Sequence, residues 1–321
     1  MANKMEDGKI AGLRGFSREF GLPLHNSRVV LAPAIVTSLE HYDPILIERI
    51  KRRQKPDGYI YGPGAGNIFT MLETFPEQTP PKGLIMTDID PAVVLAGAVF
   101  INGLKQCRSW RDFAINILFT PNHKSQIKKV SENPNYGFLR KNVESEKRFE
   151  SAMRSFRIDL AGYPEFETAL IQRPDEFIEL PFKNNVAIQD NLRPFIAMAR
   201  FYPLLRQLSI EDNIIMIYAD MLDPDLLSRI SDIKDLRQHR NVIYVSNIAG
   251  YSVHITRFTK GESLARESVS DLNKRFRNLQ VLNPTLPNRN IYVQVIPTTA
   301  GELMAQTEIP SYTVDDFKRL I

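Results

Sequence analysis

The sequence predicts an α/β protein built on a mostly parallel sheet, on three observations. Short apolar runs alternate with stretches of helical periodicity along most of the 321 residues, the pattern of repeated β/α units. The runs end in glycines or in Asp and Asn, and Asp-Pro pairs mark helix starts. The order closes on two strand-like runs around a Thr-Thr-Ala-Gly turn in NIYVQVIPTTAGELMAQTEIP.

Taken in order, residues 1–37 show little periodicity and are expected to wrap the surface as an extension of a domain spanning 38–321. SLEHYDPILIERIKRRQ then places Leu39, Tyr42, Leu46 and Ile50 on one helical stripe with a basic end. An apolar run at 59–61 leads into three glycines, and IFTMLETF has helical spacing. The PEQTPPKG turn precedes LIMTDID, which reads as a buried strand ending in acid. Asp90 and Pro91 supply the cap and first turn of a helix through PAVVLAGAVFINGL.

From about 105 to 183 the pattern is irregular, which predicts a largely helical insertion between strands 2 and 3, packed onto the domain through Trp110 and Phe113. The alternation then resumes with NVAIQDN as a strand at 185–190 and a helix whose two prolines should bend or interrupt it. Strands follow at 213–220 and 241–247, each with a helix after it. With the terminal pair this makes a doubly wound, mostly parallel seven-stranded sheet with right-handed crossovers. Ligands of such sheets bind at the carboxyl ends of the strands, where the loops after 61, 88, 190, 220 and 247 should gather.

Composition excludes several classes. A lone Cys107 rules out an internal disulfide, and five scattered histidines form no zinc spacing, so no metal is expected. No window approaches the roughly 18 apolar residues of a membrane span. The opening MANKMEDGKIAGLRGF has no apolar signal core, so the expectation is a cytoplasmic protein. The net charge of +4 is matched by residues 121–160 alone, with nine Lys/Arg against five Asp/Glu. That insert reads as a solvated helix of mixed charge, with phosphate or RNA as the alternative partner.

The stretch GYIYGPGAGN carries the chemistry. A strand-to-helix turn aims free backbone N–H groups into a crevice, and glycine lets a ligand come close because no Cβ intervenes. Asp88 ends the next strand, where a carboxylate can accept both hydroxyl hydrogens of an adenosine ribose. Asp90, two residues on, is better placed to cap the following helix.

In YGPGAGN (61–67), TDIDP (87–91), QDN (189–191), YAD (218–220) and VSN (245–247) the chain resembles the class I S-adenosylmethionine-dependent methyltransferases, which have a Rossmann-like fold. The resemblance implies S-adenosyl-L-methionine as cofactor and transfer of a methyl group to an oxygen or nitrogen acceptor. It implies that Gly62, Gly64 and Gly66, flanked by Tyr61 and Asn67, hold the methionine part. Asp88 with Ile89 would hold the adenosine sugar, and Asp190 with Asn191 the adenine. Asp220 would face the transferred methyl group, with Tyr218 and Asn247 orienting the acceptor. The family's acid two places before the first glycine is Ile60 here, so the cofactor's amino group needs another partner. No Asn-Pro-Pro-aromatic or Pro-Cys motif is present, which disfavours DNA base methylation. A small molecule or a protein is the favoured acceptor. Two alternatives stay open: a non-catalytic interaction module of this fold, and a nicotinamide-dependent oxidoreductase using the same loop and acid.

Overall fold

The computed structural model describes residues 10–13, 35–36, 43–161, 164–173, 186–246, 265–283, 290–295 and 303–313. Six strands among them form one mixed, mostly parallel sheet: β1 (Tyr59–Pro63), β2 (Gly83–Asp88), β3 (Ile214–Tyr218), β4 (Val242–Ser246), β5 (Ile291–Val295) and β6 (Leu303–Gln306). Their order is β3-β2-β1-β4-β5-β6, with only the β5–β6 pair antiparallel. The chain therefore builds outward from β1 to β3 and then returns across β1 to lay down β4. Pro63 pairs with Thr87, and Asp88 with Tyr218, so the carboxyl ends of β1, β2 and β3 lie side by side.

Period-2 alternation in the strands buries both faces, as a sheet covered by helices on each side requires. Ile60, Leu84, Met86, Ile214, Met216, Val242 and Tyr244 point into the larger core. Residues from α1 (Pro44–Arg49), α2 (Pro91–Gln106), α3 (Trp110–Phe113) and α4 (Lys124–Glu132) share that core. So do residues from α5 (Val143–Ala161), α6 (Pro164–Gln172), α7 (Val186–Arg200) and α8 (Tyr202–Ile210). Tyr59, Tyr61, Ile85, Ile215, Ile217, Ile243 and Val245 point the other way. They meet α9 (Pro224–Ser231), α10 (Lys234–Gln238) and α11 (Ala265–Arg277).

Capping follows the Asp-Pro signals. Asp43, Asp90 and Asp223 each accept backbone N–H groups at the start of α1, α2 and α9, and each is followed by proline in the first turn. At the other end of the sheet a buried amide, Asn241, ties three strand starts together. Its oxygen accepts from Tyr59 N at 2.8 Å, and its nitrogen lies 2.9 Å from Leu236 O and 2.9 Å from Asn290 Oδ1.

Three expectations need correction. NVAIQDN is not a strand: it opens α7, and the described sheet has six strands instead of seven. The apolar triplet Val186-Ala187-Ile188 is too short to impose a period of two. Downstream, Leu192, Phe195, Ile196 and Ala199 are buried at i, i+3, i+4 and i+7, which is a helical stripe. Among the described residues, α2 through α8 lie between β2 and β3. Of the two prolines one interrupts the helix, since α7 ends at Arg200 and α8 begins with Pro203 in its first turn, whereas Pro194 lies inside α7. Finally, the extension is not confined to the surface. Ile10 and Leu13, on a single 3-10 turn, are buried in the second core.

Trp110 and Phe113 pack as expected. Their rings stack at 5.7 Å, and the indole N–H donates to Leu170 O at 2.6 Å.

Candidate functional site

The three glycines divide into different tasks. Gly62 lies inside β1, where an added Cβ would sit 2.4 Å from the Tyr244 carbonyl oxygen, so its bareness serves the approach of β1 to β4. Gly64 has φ +87°, a conformation side chains rarely adopt, and a Cβ there would meet nothing within 4 Å. Its N–H donates to Thr87 O at 3.0 Å, which lashes the loop to the end of β2. Gly66 precedes a 3-10 helix, Asn67–Thr74, whose Phe69 N–H donates back to Gly66 O at 3.0 Å. Gly64 is thus the turn residue with open space at its Cβ position, its own N–H being taken by Thr87 O. Tyr61 is buried on the opposite face of the sheet, its hydroxyl donating to Met221 O, and burial pushes its phenol up.

Asp88 stands at the neighbouring strand tip, half-buried. Its carboxylate accepts the Asp90 N–H at 2.8 Å. Burial, with the Asp90 charge adding to it, raises its pKa from the ordinary 3.8 to about 7. Ile89 between them is 37% exposed, although nearly every apolar side chain around it is buried.

Asp90 is engaged by the helices. Its Oδ1 accepts from Ala92 N at 2.9 Å, capping α2. Arg148 of α5 grips both of its oxygens, at 2.9 and 2.7 Å.

At the tip of β3, Tyr218 is buried, and the Phe138 ring from the insertion lies on it. Asp220 accepts Leu222 N–H at 2.9 Å through one oxygen and pairs through the other with Arg275 of α11. Asp190 and Asn191 fall on α7 and not at a strand end. Asn67 is the first residue of its 3-10 helix, and Asn247 lies outside the described residues.

The structure thus gathers Gly64, Asp88 and Ile89, places Asp220 one strand further out, and removes Tyr61, Gly62 and Tyr218 from any open surface. Arg148, Phe138 and Arg275 were not foreseen. Arg148 sits 58 residues from Asp90 within KNVESEKRFESAMRSF, and no local spacing distinguishes it from the other cations there.

Behind the loop, Arg193 of α7 and Glu73 form an ion pair of 2.8 Å with side chains 10% and 4% exposed. A cavity of about 640 Å³ lies elsewhere, at the amino ends of the strands, walled by Tyr59, Pro81, Lys82, Leu208 and Asp235. Among the described residues no three metal-ligating side chains cluster, and no helix is long and apolar enough to cross a membrane.

These features define an α/β protein with a mostly parallel sheet and an acid beside a glycine turn at its carboxyl edge. The chain belongs to the family described as a domain of unknown function, DUF7790, which matches residues 78–261. The match takes in Asp88, the insertion and β4, and begins after the glycine turn. No curated protein matches the chain.

Proposed function

We propose that the protein is an S-adenosylmethionine-dependent methyltransferase of Rossmann-like fold. One observation carries the reading: the left-handed Gly64, open at its Cβ position, is hydrogen-bonded onto the end of β2 directly beside Asp88. The strand order, with its switch between β1 and β4 and an antiparallel last pair, supports it. The residues present fit such a cofactor. Gly64 offers bare backbone to an amino-acid tail, Asp88 a carboxylate to ribose hydroxyls, and Ile89 an exposed apolar surface to a flat base.

When bound, the cofactor supplies an electrophilic methyl on a sulfonium, so the protein's contribution is mainly alignment. Because β3 follows the helical stretch, Asp220 ends the third strand and Asn247 follows the fourth. Asp220 thereby takes the base-side position expected of Asp190, and the acceptor side passes to the carboxyl end of β4. The two ribose hydroxyls can each donate to a separate oxygen of Asp88 only when it is ionised, so cofactor affinity should rise with pH through about 7.

One observation favours the non-catalytic alternative: Tyr218 is covered by Phe138 and Asp220 is already paired with Arg275, so neither is open to a ligand. The antiparallel β5–β6 edge argues against the oxidoreductase. Calorimetric titration at about pH 8 with S-adenosylmethionine, S-adenosylhomocysteine and NAD decides among the three. Binding of the first two, lost in Asp88→Ala, is expected. Binding of NAD alone, or of none, overturns the proposal.

A further inference from the structure

Arg148 belongs to α5, the longest helix of the insertion, yet its charged end reaches the loop after β2. It binds Asp90 through two parallel N–H···O bonds, with side chains 17% and 10% exposed, a geometry that holds a carboxylate in position as well as neutralising it. The backbone of that same Asp90 donates to the carboxylate of Asp88. One residue therefore links the insertion, by its side chain, to the acid at the strand tip, by its N–H.

Neither plain duty accounts for the arginine. Capping α2 needs only the Asp90 oxygen that meets Ala92 N. Anchoring α5 is served by Phe149, Ala152, Met153 and Phe156, all buried in the larger core. What remains is the charge. Two carboxylates two residues apart disfavour each other's ionisation, and a cation on the outer one relieves the inner.

We infer that Arg148 is a positioning residue for Asp88: through Asp90 it favours ionisation of the strand-tip acid and fixes its aim, so the insertion governs how tightly the ribose of the cofactor is held. This rests on the cofactor reading above. The elements packed around Asp88 bring few other charges. The glycine turn brings none, and the β3 tip brings the buried Tyr218 phenol, paired in register with Asp88, and Asp220, itself neutralised by Arg275. Raised by burial and by Asp90, the titration of Asp88 falls where a change in that balance is measurable.

Two substitutions in the full-length chain test the link with opposite signs. Arg148→Gln leaves the Asp90 charge uncompensated, whereas Asp90→Asn keeps the cap and removes that charge. Carboxyl NMR of ¹³C-aspartate-labelled protein, assigned with Asp88→Asn, reads the Asp88 midpoint directly. Calorimetry with S-adenosylhomocysteine across the neutral range reads its consequence. Arg148→Gln should move the midpoint up by about one pH unit and weaken binding at pH 7 by up to about tenfold, with Arg148→Lys in between. Asp90→Asn should move the midpoint down. A merely structural arginine would lower the melting temperature in both variants and leave the midpoint in place, and that result overturns the inference. If the wild type binds no S-adenosylhomocysteine, the cofactor reading fails, while the two midpoints still decide whether Arg148 controls Asp88.

Discussion

The ring of Phe138 lies nearly parallel on that of Tyr218, with centroids 4.7 Å apart and planes at 17°. Tyr136, two residues earlier, donates its hydroxyl to Met216 O at 3.1 Å, so the insertion's 3-10 segment Pro134–Lys141 is pinned along β3 by one stack and one hydrogen bond. Removing the ring should loosen that cover. Phe138→Ala is expected to cost about 1–3 kcal/mol, below the loss for a fully buried Phe because the ring is only partly buried. Phe138→Leu should cost less. Urea midpoints of the two variants check the order.

Gly62 and Gly64 should respond in opposite ways to the same methyl group. At Gly62 an alanine Cβ meets the Tyr244 backbone at 2.4 Å, and backbone in a central strand pair cannot yield cheaply. Gly62→Ala should cost about 3 kcal/mol or more, at the upper end for overpacking. At Gly64 the methyl group enters open space, and only the left-handed φ resists it. Gly64→Ala should therefore lose about 1–2 kcal/mol and stay folded, while cofactor affinity falls sharply. Thermal melts paired with calorimetry separate the two. Equal stability losses would mean that the loop glycine is structural as well.

Much of this was legible because local physics decides it. Alternation announced β1 to β4, and the Asp-Pro pairs announced the caps of α2 and α9, since a capping carboxylate followed by a fixed φ acts within one turn. Asp88 was legible because it ends a strand next to a glycine turn. The failures are of another kind. The Val186-Ala187-Ile188 triplet fits either period, and the choice is made by the buried stripe after it. Arg148, Arg275 and Phe138 act over tens of residues, where spacing along the chain has no bearing on distance in space. Which glycine was bare for a ligand, and which for Tyr244, depended on the β1–β4 pairing and so could not be read from GYIYGPGAGN.

Asn241 offers a test far from the strand tips. Buried at the start of β4, it satisfies the Tyr59 N–H and faces the carbonyls of Leu236 and His239 and the side chain of Asn290. Asn241→Leu would take the side-chain acceptor from the buried Tyr59 N–H and the side-chain donor from the Leu236 carbonyl, each costing about 1–3 kcal/mol, while the Asn290 side-chain oxygen keeps the backbone N–H of residue 241. The expected loss of about 3 kcal/mol or more should appear in the urea midpoint with cofactor affinity unchanged after correction for the folded fraction. A loss below about 1 kcal/mol would mean that water replaces the amide.

Asp88 ties stability to pH with a sign that can be worked out. Burial, then the Asp90 charge, raises its pKa from 3.8 to about 7, so between those values the folded chain holds a proton that the unfolded chain has released. Stability contributed by this group is therefore greatest below pH 3.8, falls as pH rises to about 7 and is level above that. Asp88→Asn removes the ionisation while keeping an oxygen for the Asp90 N–H. The variant should match the wild type at about pH 4 and exceed it by a few kcal/mol at about pH 8, since each pH unit between the unfolded and folded pKa values is worth about 1.4 kcal/mol and partial exposure trims the total. Its cofactor binding should be lost at both. Urea unfolding at the two pH values measures the difference, and an equal gain at both would show that the Asp88 carboxylate is not strained by burial.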